Sequence, residues 1–295
     1  MLPCRYWIVG PGRLGLSIGA LLGERGVASE IVVVGRSPGA PDHPLFELSL
    51  TRYTRNLERP LRDGRLLITV PDGAIGQVAE ELAGLGRAER GAVALHFSGA
   101  LSAEALSPLA RAGYATGSLH PLSTVADVEF GAERLRGAFF GFEGEASARE
   151  AALAIVAAAD GRLLDLHAAN KTRYHAACVF ASNYVVTCAA VAVQLLASAA
   201  EISEAEATRA LRPLWEGAVT NLAALGLPEA LTGPISRGDV VTVQRHLSEL
   251  EPPIDELYAE LALRALDVSR EQGLAPEVAA EIESAIRLSE SGGPR

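Results

Sequence analysis

Residues 6–15 read Tyr6-Trp7-Ile8-Val9-Gly10-Pro11-Gly12-Arg13-Leu14-Gly15, and this stretch decides the fold of the first half of the chain. The four apolar residues predict a short buried strand, and the glycine-rich turn leads directly into an amphipathic helix over about residues 14–25. In such a turn Gly10 permits the tight bend, Gly12 lets the backbone approach a pyrophosphate, and Gly15 allows the helix to pack closely on the strand. Because the free N–H groups of a helix N-terminus bind phosphate, we predict a dinucleotide site formed by Gly10, Pro11, Gly12, Arg13, Leu14 and Gly15.

The second predicted strand, residues 31–34, bears on which dinucleotide binds. Sites for NAD carry an acidic residue near the end of this strand, where it holds the ribose 2′-hydroxyl. Here the strand is followed by Gly35, Arg36 and Ser37. A guanidinium and a hydroxyl suit a 2′-phosphate, so Arg36 and Ser37 predict NADP as the cofactor. In the alternative interpretation Arg36 is a solvated loop arginine.

The next three predicted strands, residues 66–70, 92–97 and 114–119, end in residues suited to a ligand site. Open α/β sheets bind ligands at the carboxyl ends of their strands. At these ends we predict cofactor contacts by Val70, Pro71, Ser98 and Gly99. His120 is predicted to contact the substrate or cofactor and to transfer a proton, because histidine titrates near neutral pH. Alternatively, His120 only fixes the turn that follows it.

Two other polar residues in this region are interpreted as structural. Asp72 follows a strand and precedes a predicted helix over residues 73–85, so it is expected to cap that helix. Its position at the carboxyl end of a strand also places it beside the predicted cofactor crevice. His96 lies inside an apolar strand and is expected to satisfy its hydrogen bonds within the protein.

The alternation of strands and helices continues to about Leu166. Two further strands, residues 138–142 and 162–166, flank an alanine-rich helix over residues 146–159, whereas residues 38–60 are predicted as loop with a possible short strand or turn at 46–50. This order predicts an α/β domain with a doubly wound, mostly parallel sheet over residues 1–167. Only helices are predicted afterwards, at 168–200, 203–224, 239–250, 254–272 and 276–289, which indicates an all-α domain over residues 168–295.

The first of these helices carries the only lysine of the chain, Lys171, against 25 arginines. A lysine can lose its proton when it is buried, whereas arginine is effectively always charged, so Lys171 is predicted to be catalytic. Successive helical residues turn by about 100°, which places His175 about 40° and Ser182 about 20° from Lys171, with Asn183 at the margin. We therefore predict a catalytic role for His175 and substrate contacts by Ser182 and Asn183. The alternative for Lys171 is drift in an arginine-rich composition.

The same helix raises the question of a membrane. Residues 174–200 contain no formally charged residue over 27 positions, which is long enough to span a bilayer. Polar residues interrupt the run, and they favour a buried helix at the centre of a domain or dimer. Farther along, the loop over residues 231–239 contains Arg237, predicted to hold a substrate carboxylate, and Asp239, predicted to cap the next helix.

The bulk composition excludes several classes of function. The net charge is −10, which disfavours binding to nucleic acids and to anionic membranes. The three cysteines lie in apolar surroundings and show no metal-ligand spacing, so no metal site is expected. They are interpreted as reduced, buried thiols of a cytoplasmic protein. No signal peptide is expected in the first residues.

Five segments occur together: the turn at residues 10–15, Val70-Pro71-Asp72, Ser118-Leu119-His120-Pro121-Leu122, the helix with Tyr174-His175 and Asn183-Tyr184, and Thr232-Gly233-Pro234-Ile235-Ser236-Arg237-Gly238-Asp239. This set resembles the Rossmann-like oxidoreductases that carry the C-terminal domain of unknown function 2520. They belong to the 6-phosphogluconate dehydrogenase-like group, with pyrroline-5-carboxylate and ketopantoate reductases and 3-hydroxyisobutyrate dehydrogenase. The resemblance extends over nearly the whole chain.

The resemblance implies an N-terminal NADP-binding domain and an all-α C-terminal domain that forms a homodimer through its long helices. Members of the group place a catalytic lysine early in the first long helix, and Lys171 matches that lysine. The asparagine that follows four residues later in those members is His175 here, so the role given to His175 comes from helical spacing and not from the resemblance.

These observations together predict a cytoplasmic NADP-dependent oxidoreductase. It is expected to transfer hydride between the nicotinamide and a small carbonyl, hydroxy acid or imine bound in a cleft between the domains. The rival interpretation is a non-catalytic NADP sensor of the same fold, which would bind the nucleotide without turnover. The substrate, the direction of reaction and the use of a deazaflavin partner stay open.

Overall fold

The computed structural model describes residues 3–57 and 64–290 of the chain. The chain divides into two compact units, residues 1–184 and 185–295. The predicted α/β and all-α halves are both present, and each unit is described separately below.

The first unit is built on one eight-stranded sheet in the order β3-β2-β1-β4-β5-β6-β7-β8. All neighbouring strands are parallel except β6 and β7, so β7 and β8 run opposite to the other six. The predicted mostly parallel, doubly wound sheet is therefore confirmed. The strands are β1 Cys4–Val9, β2 Ala28–Val34, β3 Thr51–Thr54, β4 Gly64–Ile68, β5 Val93–His96, β6 Ala115–Pro121, β7 Phe139–Gly144 and β8 Arg162–Asp165.

Helices cover both faces of this sheet and enclose two separate cores. The helices are α1 Arg13–Glu24, α2 Asp72–Ala83, α3 Ser107–Arg111, α4 Gly131–Leu135, α5 Ala146–Ala158 and α6 Lys171–Ala181. One core joins the sheet to α1, α4 and α5, and the other joins it to α2 and α3. Burial on both faces explains why the central strands read as continuous apolar runs in the sequence.

The prediction of a loop over residues 38–60 is wrong in part. It contains a short 3₁₀ helix, Pro44–Glu47, and the strand β3, which pairs with β2 at the edge of the sheet. The sequence of β3, Thr-Arg-Tyr-Thr, lacks an apolar run because most of this edge strand is only half-buried. Residues 58–60 of the predicted loop lie outside the described part of the chain.

The predicted single helix over residues 168–200 is also wrong. A 3₁₀ turn, Ala168–Asn170, leads into α6, and a second helix, α7 Asn183–Ala200, begins after a break. At the break, Ser182 leaves the helical conformation (φ −129°, ψ −67°), and its hydroxyl donates to the carbonyl of Cys178 at 2.8 Å. By length and composition alone, the apolar run from Ala168 to Ala200 would be able to cross a membrane, which by itself is weak evidence for a span.

The second unit is entirely helical over its described residues. The remaining helices are α8 Glu204–Leu225, α9 Val240–Glu249, α10 Ile254–Glu271 and α11 Pro276–Glu290. The core is formed by α9, α10 and α11. Asp239 caps α9 as predicted, because its carboxylate accepts from the backbone N–H of Thr242 at 3.1 Å. Ser203 and Glu206 form a capping box at the start of α8.

Candidate active site

The turn between β1 and α1 has the geometry that the glycine pattern predicts. Gly10 has φ +106°, a conformation that side chains other than glycine rarely adopt. A Cβ on Gly15 would lie 2.4 Å from the carbonyl oxygen of Gly10, so the helix packs on the turn without room for a side chain. A Cβ on Gly12 would meet no protein atom within 4 Å. The turn thus combines close packing beneath it with open space at the start of α1.

The end of β4 holds this turn in place. The Thr69 hydroxyl lies 2.7 Å from the carbonyl oxygen of Gly10 and 3.1 Å from that of Val9, and it donates to them. Thr69 was not predicted as part of the site, because nothing in the sequence distinguishes it from other strand threonines. At the other edge of the turn, the guanidinium of Arg13 donates to the carbonyl of Ala126 at 3.1 Å.

The residues after β2 lie beside the same turn. A Cβ on Gly35 would lie 2.7 Å from the Pro11 ring and 2.6 Å from the Tyr53 hydroxyl. Arg36 and Ser37 are exposed, and the Ser37 carbonyl accepts from the Tyr53 hydroxyl at 2.8 Å. The structure therefore leaves the Arg36 guanidinium and the Ser37 hydroxyl accessible beside the glycine-rich turn.

Ser98 links two strand ends and a helix through a dense set of hydrogen bonds. Its hydroxyl donates to the carboxylate of Asp72 at 2.7 Å and accepts from the backbone N–H groups of Ala100 and Leu101. The predicted capping role of Asp72 is wrong: α2 begins at Asp72 itself, Pro71 precedes it, and the carboxylate binds Ser98 instead. The Ser98 hydroxyl is satisfied by protein groups, so its cofactor contact stays a prediction, as do those of Val70, Pro71 and Gly99.

The ammonium of Lys171 is held at the carbonyl of Ser98. Its Nζ donates to that oxygen at 3.1 Å, and only 2% of the residue is exposed. Burial lowers the pKa of Lys171 to about 8, against the opposing charges of Glu143, Cys178 and Asp72. An ammonium has three N–H donors, and the Ser98 carbonyl takes one of them. Lys171 is thus a buried group that can exchange a proton close to neutral pH.

His120 faces Lys171 from the end of β6. Its Nδ1 lies 2.8 Å from the hydroxyl of Tyr174, and their rings are perpendicular with centroids 5.7 Å apart. Burial and, to a smaller extent, the neighbouring Lys171 and His175 lower the pKa of His120 to about 4. Burial raises the pKa of the Tyr174 phenol. His120 is therefore a neutral imidazole and Tyr174 a neutral phenol at physiological pH.

His175 completes the cluster from α6. The ring centroids of His120 and His175 are 5.9 Å apart. A Cβ on Gly99 would lie 2.5 Å from Nδ1 of His175 and 2.9 Å from Nε2 of His120, so both imidazoles converge on this glycine. Nδ1 of His175 is buried and has no hydrogen-bond partner in the described structure. The three predicted catalytic residues, Lys171, His175 and His120, therefore lie together.

The other predicted site residues have different surroundings. The Ser182 hydroxyl lies 2.9 Å from Oδ1 of Asn183 in addition to its bond to Cys178, so local partners satisfy it. Arg237 is exposed in the second unit. The substrate contacts of Ser182, Asn183 and Arg237 stay predictions.

Tyr174 was not predicted to belong to the site, whereas the strand-end position of Asp72 already placed it beside the predicted cofactor crevice. Tyr174 lies three residues after Lys171 on α6, a spacing that places both on neighbouring positions of one helix face. His96 has the predicted structural role, because its Nε2 lies 3.0 Å from the Ser102 carbonyl and its Nδ1 accepts from the Ser98 backbone at 3.2 Å. Over residues 3–57 and 64–290, no group of three or more His, Cys, Asp or Glu side chains is placed to hold a metal ion.

Three solved structures share this architecture. Protein TM1727 from Thermotoga maritima is 24% identical with a TM-score of 0.70, and the match covers 91% of this chain and 99% of that protein. A reductive aminase from Aspergillus terreus, solved with NADPH4, cyclohexanone and allyl amine, is 17% identical with a TM-score of 0.55, covering 98% and 95%. A pyrroline carboxylate reductase from Plasmodium falciparum, solved with NADP bound, is 12% identical with a TM-score of 0.54, covering 99% and 100%.

At these identities the structures are evidence for a shared fold. No curated protein sequence is significantly similar to the chain. Two family models match it: a Rossmann-like domain over residues 7–121 and a domain of unknown function, DUF2520, over residues 138–265. The chain is therefore a Rossmann-like protein that carries a DUF2520 domain.

Proposed function

We propose that the protein is an NADP-dependent oxidoreductase that transfers hydride between the nicotinamide and a small carbonyl, hydroxy acid or imine. The observation that carries this proposal is the buried ammonium of Lys171, whose pKa is about 8. It lies at the carboxyl end of β5, on the same edge of the sheet as the glycine-rich turn after β1. A perturbed, buried titratable group at such a position is typical of catalytic sites. The reductive aminase and the pyrroline carboxylate reductase support the same reaction class, since both have this fold and were solved with NADP cofactors.

The residues of the first turn fit the proposed cofactor. The open space at Gly12 and the start of α1 suit a pyrophosphate, which the free N–H groups of the helix would bind. Arg36 and Ser37 would hold the 2′-phosphate of the adenosine ribose. When bound, the nicotinamide supplies or accepts the hydride.

Lys171 is the proposed proton donor in the reducing direction. At neutral pH it is mostly protonated, yet its lowered pKa makes the proton easier to release to a carbonyl oxygen or an imine nitrogen. The free N–H groups of the ammonium would also orient that atom. His120, a neutral imidazole, and His175 both approach Gly99, where they would bind the substrate by hydrogen bonds.

NADPH oxidation against a panel of small ketones, keto acids and cyclic imines tests the proposal. Wild type is compared with Lys171→Met, which removes the charge, and with Arg173→Met, an exposed position on the same helix, as the matched control. We expect turnover by wild type and the control, and a loss of about 100-fold or more in Lys171→Met, the typical size of a general-acid contribution. Equal turnover in both variants would remove the role of Lys171. NADPH binding without turnover of any substrate would favour the rival interpretation, a non-catalytic NADP sensor of the same fold.

We also propose that the protein forms a homodimer through α7 and α8. Both helices expose large apolar side chains in the single chain, between 42% and 71% exposed: Val185, Val186, Leu195, Leu214, Val219, Leu222 and Leu225. Helices in water are stabilised mainly by packing an apolar face, and large exposed apolar surfaces mark interfaces. A second copy is the occupant we favour, because α8 also carries charged residues that a bilayer would not accept: Glu204, Glu206, Arg209, Arg212 and Glu216.

A cytoplasmic location is part of the same proposal. Cys4, Cys178 and Cys188 are all free thiols, which supports a reducing compartment. The prediction that these thiols are buried is wrong, because Cys188 is exposed and Cys4 and Cys178 are only partly buried.

A further inference from the structure

Tyr174 contacts His120 through a short hydrogen bond that the proposed proton transfer by Lys171 does not use. The phenol oxygen is 2.8 Å from Nδ1 of His120 and 3.4 Å from the carbonyl oxygen of the same residue. The two side chains come from different elements, α6 and β6, so this contact connects the helix that carries Lys171 with the strand end that carries His120.

The fold leaves room for this contact by omitting a side chain next to it. A Cβ on Gly141, which pairs with His120 across β6 and β7, would lie 2.6 Å from the Tyr174 hydroxyl. Burial raises the pKa of Tyr174, and the neighbouring Cys178 raises it as well. The phenol therefore keeps its proton and can donate it to a partner.

The distances identify that partner. Nδ1 of His120 is 0.6 Å closer to the phenol oxygen than the backbone carbonyl is, and 2.8 Å is the usual length for a donating hydroxyl. An imidazole nitrogen that accepts a hydrogen bond carries no proton, so in a neutral ring the proton must be on the other nitrogen.

We propose that Tyr174 is a positioning residue that donates to Nδ1 of His120 and thereby fixes the His120 proton on Nε2. The inference rests on the proposed function, because it assigns His120 the task of a neutral hydrogen-bond donor in that site. Nε2 is the nitrogen that points at Gly99, opposite the unpartnered Nδ1 of His175. The site then presents two different donors, a charged one from Lys171 and a neutral one from His120. Such a pair suits a substrate atom with two lone pairs, and therefore a carbonyl oxygen rather than an imine nitrogen, which has one.

The tautomer of His120 can be measured by NMR of protein labelled with ¹⁵N-histidine. The chain has six histidines, and the signals of His120 are those lost in His120→Gln. We expect an unprotonated Nδ1 and a protonated Nε2 in the wild type, and in Tyr174→Phe a shift of both nitrogens toward the averaged values of an unconstrained neutral imidazole. A protonated Nδ1 in the wild type, or nitrogens unchanged in Tyr174→Phe, would overturn the proposal.

The chain supplies a matched control in its second unit. Nδ1 of His246 is 2.8 Å from the Tyr258 hydroxyl, with perpendicular rings 5.5 Å apart, the same arrangement outside the proposed site. Unchanged signals of His43 in the first unit and of His246 in the second show that both units of Tyr174→Phe are folded. Tyr258→Phe should alter the His246 signals and leave those of His120 in place.

Activity provides a second measurement. Removal of a hydrogen-bond partner that orients a functional histidine typically lowers activity on the order of 10-fold. We therefore expect kcat/KM for ketones to fall by about that factor in Tyr174→Phe. The Kd for NADPH should be unchanged. Tyr258→Phe should stay within about twofold of wild type, as surface substitutions away from a site do. Full activity in Tyr174→Phe with an altered tautomer would refute the positioning role. If no substrate is turned over, the proposed function fails, and the NMR spectra still decide the tautomer.

Discussion

Lys171 places an ionisable group in surroundings that disfavour its charge. The side chain is 2% exposed, and its pKa falls from 10.5 to about 8 because burial penalises the ammonium. Each pKa unit corresponds to about 1.4 kcal/mol of difference between the protonation states. A buried lysine whose charge lowers the stability of the folded protein is better explained by a catalytic role than by packing.

The titration of Lys171 can be followed without interference from other lysines. Protein labelled with ¹³C-lysine should give a single side-chain Cε signal, since the chain has one lysine. We expect its midpoint near pH 8, and we expect kcat/KM for reduction to fall above that pH, because the deprotonated amine cannot donate a proton. A midpoint near the ordinary value of 10.5 would contradict the lowered pKa. Titration of His120 should not change the activity near pH 6.5, since the pKa of His120 is about 4.

The stability of Lys171→Met should depend on pH in a defined direction. The pKa of Lys171 in the folded protein lies below its unfolded value, so the unfolded chain binds more protons between about pH 8 and 10.5 and wild-type stability rises through that window. Below pH 8 the buried charge destabilises the wild type. At pH 7 we therefore expect Lys171→Met to be more stable by up to about 3 kcal/mol, with the difference shrinking toward pH 10.5.

Urea denaturation of both proteins at pH 6, 7, 8 and 9 measures this difference. Comparing variant with wild type at each pH cancels the titration of other groups, such as the tyrosines with raised pKa values. Arg173→Met, at an exposed position, is the control and should show no such trend. A stability difference between Lys171→Met and wild type that is the same at every pH would mean that the ammonium is not destabilised by burial.

At the scale of elements, the glycine-rich turn couples packing to ligand binding. We expect Gly15→Ala to weaken NADPH binding at least 10-fold and to destabilise the protein by about 1–3 kcal/mol, because the new Cβ would lie 2.4 Å from a backbone oxygen. Gly76→Ala on α2 is the control: a Cβ there meets nothing within 4 Å, and the substitution should be neutral or slightly stabilising. Nucleotide titration by fluorescence and urea denaturation measure the two effects. Unchanged NADPH affinity in Gly15→Ala would argue against the turn as the cofactor site.

Elements that bury a continuous apolar run could be predicted from the sequence, and those defined by tertiary contacts could not. The central strands and the helices α8 to α11 have the predicted positions within about three residues. The edge strand β3 and the break at Ser182 were missed, because one depends on pairing with β2 and the other on a side-chain bond to the helix backbone. Local sequence pattern contains neither signal.

The same distinction applies to the site. Lys171 and His120 could be predicted because an unusual residue type and a strand end are visible in the sequence. The contacts of Asp72 with Ser98 and of Tyr174 with His120 join residues 26 and 54 positions apart, so their roles emerge only when the sheet and α6 are assembled.

At the scale of the whole molecule, the exposed apolar faces of α7 and α8 predict the oligomeric state. We expect a dimer by analytical ultracentrifugation, and a monomer for the double variant Val186→Glu, Leu214→Glu, since both positions are about 70% exposed in the single chain and a buried charge at an interface is costly. Phe130→Glu, an exposed aromatic residue elsewhere, should leave the dimer intact. A wild-type monomer, a double variant that stays dimeric, or a wild type that requires detergent would each exclude the proposed interface.

The single lysine of the chain also determines how the protein reacts with amine-directed reagents. Apart from the α-amino group of the residue that begins the chain, the only primary amine is the 2%-exposed Nζ of Lys171. Acylating or crosslinking reagents therefore find no lysine on the protein's surface. The rate at which Lys171 is acylated therefore measures how often its ammonium becomes accessible to solvent. A bound ligand that covers the site should lower this rate, and no other lysine contributes to the signal.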